Sequence, residues 1–254
     1  MRKKGKLYGV GTGPGDPELL TLKALRIIKE VSVIAVPNEE PQNSIPYKTV
    51  AAVYPELEEK EILAVPFLMK PDLVARREIR EQNAKKIALL LDEGRDIAFL
   101  TIGDPSIYTT YSYVFAILEP LGYDCEMISG VPSFCAASAK LNVTLCSDQE
   151  KLEIIPGGTG SPAASSLLRK DQPVQEQSPE GSGRPGCGTG ATQVYMKFES
   201  LFPRLIDTLN RRGETPMVIE NCCLENERAF RDTTTLPDDI GYFNIVISHN
   251  NVLE

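Results

Sequence analysis

Glycine and proline crowd the segment Gly9 to Pro17, which follows a predicted strand and precedes a predicted helix. A glycine-rich turn in that position lets the backbone approach a ligand closely. The segment fails the dinucleotide pattern, which needs glycine where Pro14 stands, and the phosphate-loop pattern, which needs lysine after Gly15. Asp16 and Glu18 add negative charge that would repel a phosphate. The loop therefore fits a ligand that is cationic or has no phosphate nearby, and a tight turn without a ligand is the alternative.

A second segment, Leu100 to Tyr108, follows a predicted buried strand and contains Gly103, Asp104 and Pro105 in succession. In α/β proteins, ligands usually bind where such strands end. Gly103 allows the turn, and Asp104 offers a hydrogen-bond acceptor or a counter-charge. The alternative is that Asp104 only caps the next helix. Three more segments contain or directly follow a predicted strand. They are Ile128 to Phe134, Val194 to Lys197 and Thr215 to Asn221.

Composition limits the classes of function. The chain has 254 residues, 42 % hydrophobic and 24 % charged, which predicts a soluble globular protein of one large or two ordinary domains. A net charge of −8 argues against nucleic-acid binding. No apolar run approaches the roughly 20 residues that span a bilayer. Because the six cysteines form no C-x-x-C pair and His249 is the only histidine, we expect reduced thiols, no zinc site of His and Cys, and a cytoplasmic protein.

The hydrophobic pattern predicts an α/β protein in which apolar strands alternate with amphipathic helices. The predicted strands are Lys6 to Val10, Val31 to Val36, Glu61 to Val65, Ile97 to Thr101, Asp124 to Ile128, Leu152 to Ile155, Gln193 to Lys197, Pro216 to Glu220 and Phe243 to Ile247. The predicted helices are Glu18 to Lys29, Val74 to Leu91, a helix from Tyr108 to about Glu119, Ser133 to Leu141 and Leu201 to Arg211.

Gly122 marks the expected boundary between an N-terminal α/β domain, residues 1–121, and a C-terminal α/β domain, residues 122–254. Residues 157–192 are rich in Gly, Ser, Pro and Gln. Such a segment buries little apolar surface, so it is predicted to be a flexible loop.

Together and in this order, the motifs resemble those of the tetrapyrrole methylase family, whose members transfer methyl groups from S-adenosylmethionine. The matching segments are Gly9 to Gly15, Gly103 to Pro105, Ser129 to Val131, Tyr195 to Lys197 and Thr215 to Pro216. The chain is most similar to family members that methylate C20 of precorrin-2 or cobalt-factor II. That closer similarity lies in Gly5 to Gly9, Ser133-Phe134, Met196-Lys197 and Tyr242 to Ile247. The chain departs from the family at Ser129, which is usually proline, and at Pro132, which is often threonine.

The resemblance implies two α/β domains with the cofactor in the cleft between them, S-adenosylmethionine as methyl donor and S-adenosylhomocysteine as product. The implied cofactor contacts are Pro14, Gly103, Asp104, Ile107, Pro132, Ser133, Met196, Val218 and Ile247. Asp104 is also the candidate catalytic base for the proton on the methylated carbon, although it could instead orient the cofactor or hydrogen-bond the pyrrole nitrogens. The resemblance further implies a small tetrapyrrole substrate, a homodimer and no bound metal, nucleic acid or membrane.

Three other functions stay open at this stage. One is methylation of uroporphyrinogen III at C2 and C7, and another is a sensor that binds cofactor or tetrapyrrole without catalysis. The third is a dinucleotide-binding oxidoreductase, which Glu39 after the second strand favours and Pro14 opposes. The substrate's carboxylates need a local basic patch, and the candidates are Arg76, Arg77, Arg80, Arg228 and Arg231. For each arginine the alternative is an ordinary solvated surface position.

Overall fold

The protein is seen in a computed structural model, which describes residues 3–67, 72–148, 150–157, 161 and 191–249. The chain divides into two compact units, Met1–Ser133 and Phe134–Glu254, and each is described by itself. Across these described ranges, no helix combines the length and the apolar character that crossing a membrane requires. Most of the loop predicted at 157–192 lies outside the described residues.

The first unit is built on one five-stranded sheet. Its strands are β1 (Lys6–Gly11), β2 (Val33–Val36), β3 (Glu61–Ala64), β4 (Ile97–Thr101) and β5 (Asp124–Ile128). Their order is β3-β2-β4-β1-β5, and each neighbouring pair is parallel. The α-helices are α1 (Leu22–Glu30), α2 (Ile45–Val53), α3 (Leu73–Asp92) and α4 (Tyr111–Leu118), with short 3-10 helices at Pro17–Leu19, Pro41–Asn43, Pro55–Glu59 and Glu119–Leu121. Because the strands are parallel, all of their carboxyl ends meet at one edge of the sheet.

Helices cover both faces of this sheet. Val10, Ile34 and Leu100 pack in one hydrophobic cluster with α1 and α2, whereas Leu7 and Phe99 pack in another with α3 and α4. The side chains alternate because successive residues of a strand point to opposite faces. Every residue of β2 and β4 is buried, which explains why both strands are continuous apolar runs in the sequence.

The second unit holds a mixed five-stranded sheet. Its strands are β6 (Lys151–Pro156), β7 (Ala191–Met196), β8 (Met217–Glu220), β9 (Arg228–Phe230) and β10 (Asn244–His249), in the order β6-β7-β10-β8-β9. Strands β6 and β7 are parallel, and the other neighbouring pairs are antiparallel. The described helices are α5 (Ser133–Leu141), which begins at the last residue of the first unit, and α6 (Phe202–Arg211). Phe202, Leu205 and Leu209 place the apolar face of α6 on one face of the sheet, against Tyr195 and Val246.

Each predicted strand and helix is present, with ends that differ by a few residues. The helix predicted at Glu18 to Lys29 starts later, at Leu22, because Thr21 is extended and its hydroxyl caps the helix by accepting a hydrogen bond from the backbone N of Ala24 at 3.2 Å. Helix α2 and strand β9 were not predicted from the sequence.

The division between the units also differs from the expected 121/122 boundary. The structure places it between Ser133 and Phe134. The reason is strand β5, which pairs with β1 in register from Lys6 and Asp124 to Val10 and Ile128. The fifth strand therefore completes the first sheet and does not begin the second.

Candidate functional site

Three loops, which follow β1, β4 and β5, meet at the carboxyl edge of the first sheet. Gly13 and Gly103 exchange backbone hydrogen bonds, with N–O distances of 2.7 Å and 3.2 Å. A Cβ added to Gly11 would lie 2.6 Å from the carbonyl oxygen of Gly103, and one added to Gly130 would lie 2.2 Å from the same atom. Only glycine allows such close approach of backbone to backbone. The glycines of all three motifs therefore hold the loops together.

The carboxylate of Asp104 joins two of these loops. Its Oδ1 accepts hydrogen bonds from the backbone N of Ser106 at 2.9 Å and from the Ser106 hydroxyl at 2.5 Å. Its Oδ2 accepts one from the backbone N of Gly130 at 3.0 Å. Asp104 is only 9 % exposed, so these donors replace the water that the charge would otherwise bind. The geometry gives Asp104 a clear structural task, which is to fix the loop after β4 against the loop after β5.

The other predicted contacts of the first unit lie beside this junction. Gly103 has φ 73°, and a Cβ on it would lie 3.9 Å from the backbone N of Ser133 and 4.0 Å from Cα of Pro132. The backbone N of Ile107 donates to the carbonyl oxygen of Asp104 at 3.2 Å. The structure therefore brings Gly103, Asp104, Ile107, Pro132 and Ser133 together. Sequence positions that are almost 30 residues apart become neighbours because β4 and β5 both flank β1.

Buried threonines, which the sequence analysis did not single out, support the first glycine loop. The backbone N and the hydroxyl of Thr12 both donate to the carbonyl oxygen of Thr101, at 2.9 Å and 3.1 Å. The hydroxyl of Thr49, on α2, donates to the carbonyl oxygen of Gly15 at 3.3 Å. Pro14 lies buried between these two anchors.

A sequence signal for α2 was available. Ser44 precedes Ile45 and Pro46, which is the pattern of a helix cap followed by proline in the first turn. In the structure the hydroxyl of Ser44 accepts from the backbone N of Tyr47 at 3.3 Å. Applied to residues 44–46, this rule would have predicted the helix that carries Thr49.

The second unit carries the remaining predicted contacts on neighbouring strands. Met196 pairs with Ile245, and Val218 pairs with Val246, which is the next residue of β10. Met196 and Ile247 therefore share one face of the sheet, and Val218 lies on the other. Val218 is fully buried in the cluster under α6, so its side chain is occupied by core packing. Any ligand contact of Val218 would use the backbone.

Lys197, directly after β7, has an unusual backbone for a residue other than glycine. Its φ is 64°, and its backbone N donates to the carbonyl oxygen of Asn244 at 3.2 Å. Its ammonium group lies 5.9 Å from the ring centroid of Tyr242. Burial lowers the pKa of the Lys197 amine, because the charged form is less well solvated there.

The basic residues proposed for substrate carboxylates differ in their surroundings. Arg77 pairs with Glu81 at 2.9 Å, and Arg228 pairs with both Glu220 and Asp239. By contrast, the guanidinium of Arg80 stacks 3.5 Å from the ring centroid of Tyr113. Nε of Arg76 is buried and has no hydrogen-bond acceptor among the residues that the structure describes.

Arg76 and Arg80 belong to the amino-terminal part of α3, which begins at Leu73, and they lie about one helical turn apart, on the same face. Helix α3 follows β3, and Tyr113 lies in the first turn of α4, which follows β4. Both connections leave the carboxyl edge of the sheet. These two arginines are therefore on the same side of the first unit as the glycine loops.

In chemical terms, the three loops form a surface of backbone amides, carbonyls and glycine Cα atoms, with one buried carboxylate. Asp16 adds a negative charge at the end of the first loop, where its Oδ1 accepts from the backbone N of Glu18 at 2.9 Å. Such a surface suits a ligand that brings its own reactive group, because its contribution is to bind and to orient.

Comparisons with known proteins bear on the family and the fold of this chain. The family model of the Tetrapyrrole (Corrin/Porphyrin) Methylases matches residues 6–237. A probable cobalt-precorrin-2 C(20)-methyltransferase of Methanocaldococcus jannaschii is 38 % identical over 154 residues, which cover 60 % of this chain and 64 % of that relative. The cobalamin biosynthesis protein CobIJ of Mycobacterium tuberculosis is 32 % identical over 163 residues, 62 % of this chain but 32 % of its own length. The chain thus spans less than two thirds of these two relatives.

Other relatives match along nearly their whole length. A precorrin-2 C(20)-methyltransferase of a Sinorhizobium species is 28 % identical over 255 residues, covering 96 % of this chain and 94 % of that protein. Among solved structures, a cobalt precorrin-4 methyltransferase superposes with a TM-score of 0.65 at 19 % identity, over 96 % of this chain and 94 % of that one. The uroporphyrin-III C-methyltransferase of Thermus thermophilus, in complex with S-adenosylhomocysteine, gives 0.59 at 20 % identity, over 96 % and 97 %. The predicted α/β fold is confirmed, and the chain belongs to the tetrapyrrole (corrin/porphyrin) methylase family.

Proposed function

We propose that this protein transfers a methyl group from S-adenosylmethionine to C20 of precorrin-2 or of cobalt-factor II. The observation that carries the proposal is the similarity, over 96 % of the chain, to a precorrin-2 C(20)-methyltransferase. The Methanocaldococcus relative, which has a name of the same kind, supports it at higher identity over a shorter stretch. The family match supports the broader class of tetrapyrrole methylation.

The loops of the first unit fit the proposed cofactor. A family structure contains S-adenosylhomocysteine, the product that methyl transfer would leave. The glycine loops offer bare backbone for close approach, and Asp16 and Glu18 give the end of the first loop a negative charge, which would attract a cationic sulfonium. The residues proposed to hold the cofactor here are Pro14, Gly103, Asp104, Ile107, Pro132 and Ser133. The contacts predicted on Met196, on Ile247 and on the backbone of Val218 stay predictions.

The proposed reaction needs few catalytic side chains. When bound, the cofactor supplies a methyl group that is already activated, and the substrate's meso carbon is an enamine-like nucleophile. The protein's task is then to hold both reactants in line, which is catalysis by positioning. We propose that Asp104 serves this task by fixing the loops around the junction. Its alternative role as a base would place a proton on a carboxylate whose two oxygens already accept hydrogen bonds from Ser106 and Gly130.

Arg76 and Arg80 are the arginines that we propose as contacts for the substrate's carboxylates. Nε of Arg76 is buried without an acceptor among the described residues, and such a group is stabilised when a ligand supplies one. The guanidinium of Arg80 stacks on the ring of Tyr113, and such a contact uses the face of the group and leaves the N–H groups on its edge to point at a carboxylate. Arg77 and Arg228 are less suited, because acidic partners already bind them.

We also propose that the protein is a cytoplasmic homodimer. The cysteines that the structure describes form no disulfide with one another, as expected in a reducing compartment. The dimer rests on the resemblance to the family, and sedimentation of the purified chain would test it.

A labelling experiment tests the reaction. The purified protein is incubated with methyl-labelled S-adenosylmethionine and, in separate samples, with precorrin-2, cobalt-factor II or uroporphyrinogen III. We expect one methyl group to be added to precorrin-2 or cobalt-factor II, with a changed meso position in the NMR spectrum of the product. Whichever of the two accepts the label identifies the substrate's metal state.

The other outcomes of the labelling experiment would contradict the proposal in different ways. Label on uroporphyrinogen III alone would replace the C20 assignment by C2 and C7 methylation. Cofactor binding without transfer to any of the three would contradict the enzyme proposal and favour a sensor. Failure to bind S-adenosylmethionine would contradict the cofactor assignment itself.

A further inference from the structure

The turn after β8 brings two adjacent cysteines and a glutamate together. Sγ of Cys222 lies 3.8 Å from Sγ of Cys223, and both sulfur atoms lie within 4.8 Å of a carboxylate oxygen of Glu227. The lack of a C-x-x-C pair and the single histidine, His249, predict no zinc site of His and Cys. Adjacent cysteines do not form that pattern, but a tight turn can aim both at one point.

The backbone explains how neighbouring side chains converge. Asn221 and Cys223 both have left-handed backbone conformations, with φ of 51° and 64°. The carbonyl oxygen of Asn221 accepts from the backbone N of Leu224 at 2.9 Å, which closes the turn. Glu227 returns to it, because its Oε2 accepts from the backbone N of Cys223 at 2.7 Å. Positive φ is costly for residues other than glycine, so this arrangement is held by its surroundings.

From this arrangement we propose that Cys222, Cys223 and Glu227 bind a Zn²⁺ ion with three protein ligands and one open position. The sulfur–sulfur distance supports the assignment. Two thiolates at the usual Zn–S distance of about 2.3 Å, with a tetrahedral angle between them, are separated by about 3.8 Å. That separation is the one that the two sulfur atoms already have. A carboxylate oxygen of Glu227 lies within 4.8 Å of both sulfur atoms, so a rotation of this side chain would bring it to the same ion.

The donor set and the local charge favour Zn²⁺ over other ions. Two thiolates exclude Mg²⁺ and Ca²⁺, which prefer oxygen ligands, and suit a borderline-soft ion. Two thiolates and one carboxylate carry three negative charges, of which Zn²⁺ balances two. The ammonium group of Lys140, 3.8 Å from Oε1 of Glu227, balances the third. Cys222 is 6 % exposed, so the site would be shielded on one side, with Cys223 and Glu227 nearer to solvent.

Metal binding by the reduced full-length protein tests the proposal directly. Zn²⁺ affinity is measured by competition with a chromogenic chelator, and Co²⁺ is added to a second sample to detect thiolate-to-cobalt charge-transfer absorption. We expect one Zn²⁺ per chain and a cobalt spectrum with the intensity of two thiolates. C222S and C223S should each weaken Zn²⁺ binding by at least about 100-fold, and E227Q by about 10-fold or more, since a ligand contributes at least as much as its outer-shell partners.

The matched controls are C146S, which removes an exposed thiol, and C187S, which removes the thiol outside the described residues. Both should bind Zn²⁺ as the parent protein does. Wild-type protein that binds no Zn²⁺, ligand variants that bind it like wild type, or loss of binding in a control would each overturn the proposal. Circular dichroism checks folding, and if buried Cys222 does not tolerate serine, the half-buried C223S and E227Q give the same test. The readout does not depend on methyl transfer, so it is independent of the proposed reaction.

Discussion

At the scale of the residue, Asp104 is the side chain whose role the structure defines best. A carboxylate is normally read as a candidate acid or base when it follows a buried strand in an α/β protein. Here its two oxygens are already bound by donors from two loops, Ser106 on one and Gly130 on the other. We infer that Asp104 is a positioning residue. Its charge strengthens these hydrogen bonds, which are charge-assisted and stronger than neutral ones.

Replacing Asp104 with asparagine tests this role. The amide must turn its NH₂ group toward a backbone N–H, of Ser106 or of Gly130, so one hydrogen bond is lost. We expect unfolding to become easier by about 1–3 kcal/mol and the Kd for S-adenosylmethionine to rise by about 10-fold or more. Calorimetry measures the binding, and chemical denaturation measures the stability.

The matched control is D96N at the opposite edge of the same sheet, where Oδ1 of Asp96 accepts from the backbone N of Lys6 at 2.7 Å. It should leave cofactor binding unchanged. If D104N instead binds the cofactor normally, and loses kcat together with the acidic limb of the pH–rate profile, Asp104 is the base and the positioning role is wrong.

At the scale of the element, three parallel strands end in loops that touch through glycine. The strand order places β1 between β4 and β5, so the loop of the first strand is held from both sides. Helix α2 adds a third support through Thr49. The parallel sheet thus makes one rigid surface from segments that are remote in sequence, and rigid placement is what a positioning mechanism needs.

Substitution G130A tests the glycine contacts. The added Cβ would lie 2.2 Å from the carbonyl oxygen of Gly103, so the loop must move. We expect a loss of stability of about 1–3 kcal/mol, typical of overpacking, and a loss of cofactor binding. G122A is the control, because Gly122 also lies in the first unit but has no atom within 4 Å of an added Cβ.

Gly122 has φ 80°, so its alanine variant carries some backbone strain of its own. Comparison of the two variants separates that strain from the steric effect. Thermal melting of G130A and G122A measures their stability, and titration with the cofactor measures their binding affinity. Equal cofactor affinity in G130A and G122A would show that close contact between the loops is not needed for the site.

At the scale of the whole molecule, the net negative charge of the chain opposes the binding of an anionic substrate, so positive side chains must lie close to the substrate. The chain carries a net charge of −8, and the proposed substrate is a polycarboxylate, so long-range attraction is unfavourable. Arg76 and Arg80 place two positive charges on one face of α3, near its amino end, and α3 follows β3 from the carboxyl edge of the first sheet. Binding would depend on these short-range contacts.

The arginine contacts predict a specific pattern of kinetics. R76Q and R80Q should each raise KM for the tetrapyrrole by about 10-fold, with little change in kcat, because each removes a charge-assisted contact to the substrate and not to the reacting atoms. Added salt should raise KM of the wild type and raise it less in the variants.

R26Q is the control, since Arg26 pairs with Glu30 on an exposed face of α1. It should behave as wild type in both measurements. A KM that does not respond to R76Q or R80Q would remove these residues from the substrate site.

The sequence by itself determined most of the elements, the fold class and the family. Fully buried strands such as β4 must be apolar on both faces and leave continuous apolar runs, whereas helices such as α6 carry an apolar stripe and leave a periodic pattern. Local analysis detects both. Glycine and proline at strand ends mark turns for the same local reason. These features depend on neighbours in the chain, and they sufficed to place most of the candidate residues in motifs.

Only the tertiary structure decided which residues meet. Pairing of β5 with β1 moved the domain boundary and joined Gly130 to Asp104, and strand register placed Val218 in the core, opposite to Met196. The turn that gathers Cys222, Cys223 and Glu227 likewise depends on left-handed backbone conformations, which were not predicted from the sequence. The physical reason is the same throughout. Hydrogen bonds and packing between segments distant in the chain depend on strand order, and local sequence patterns do not encode strand order.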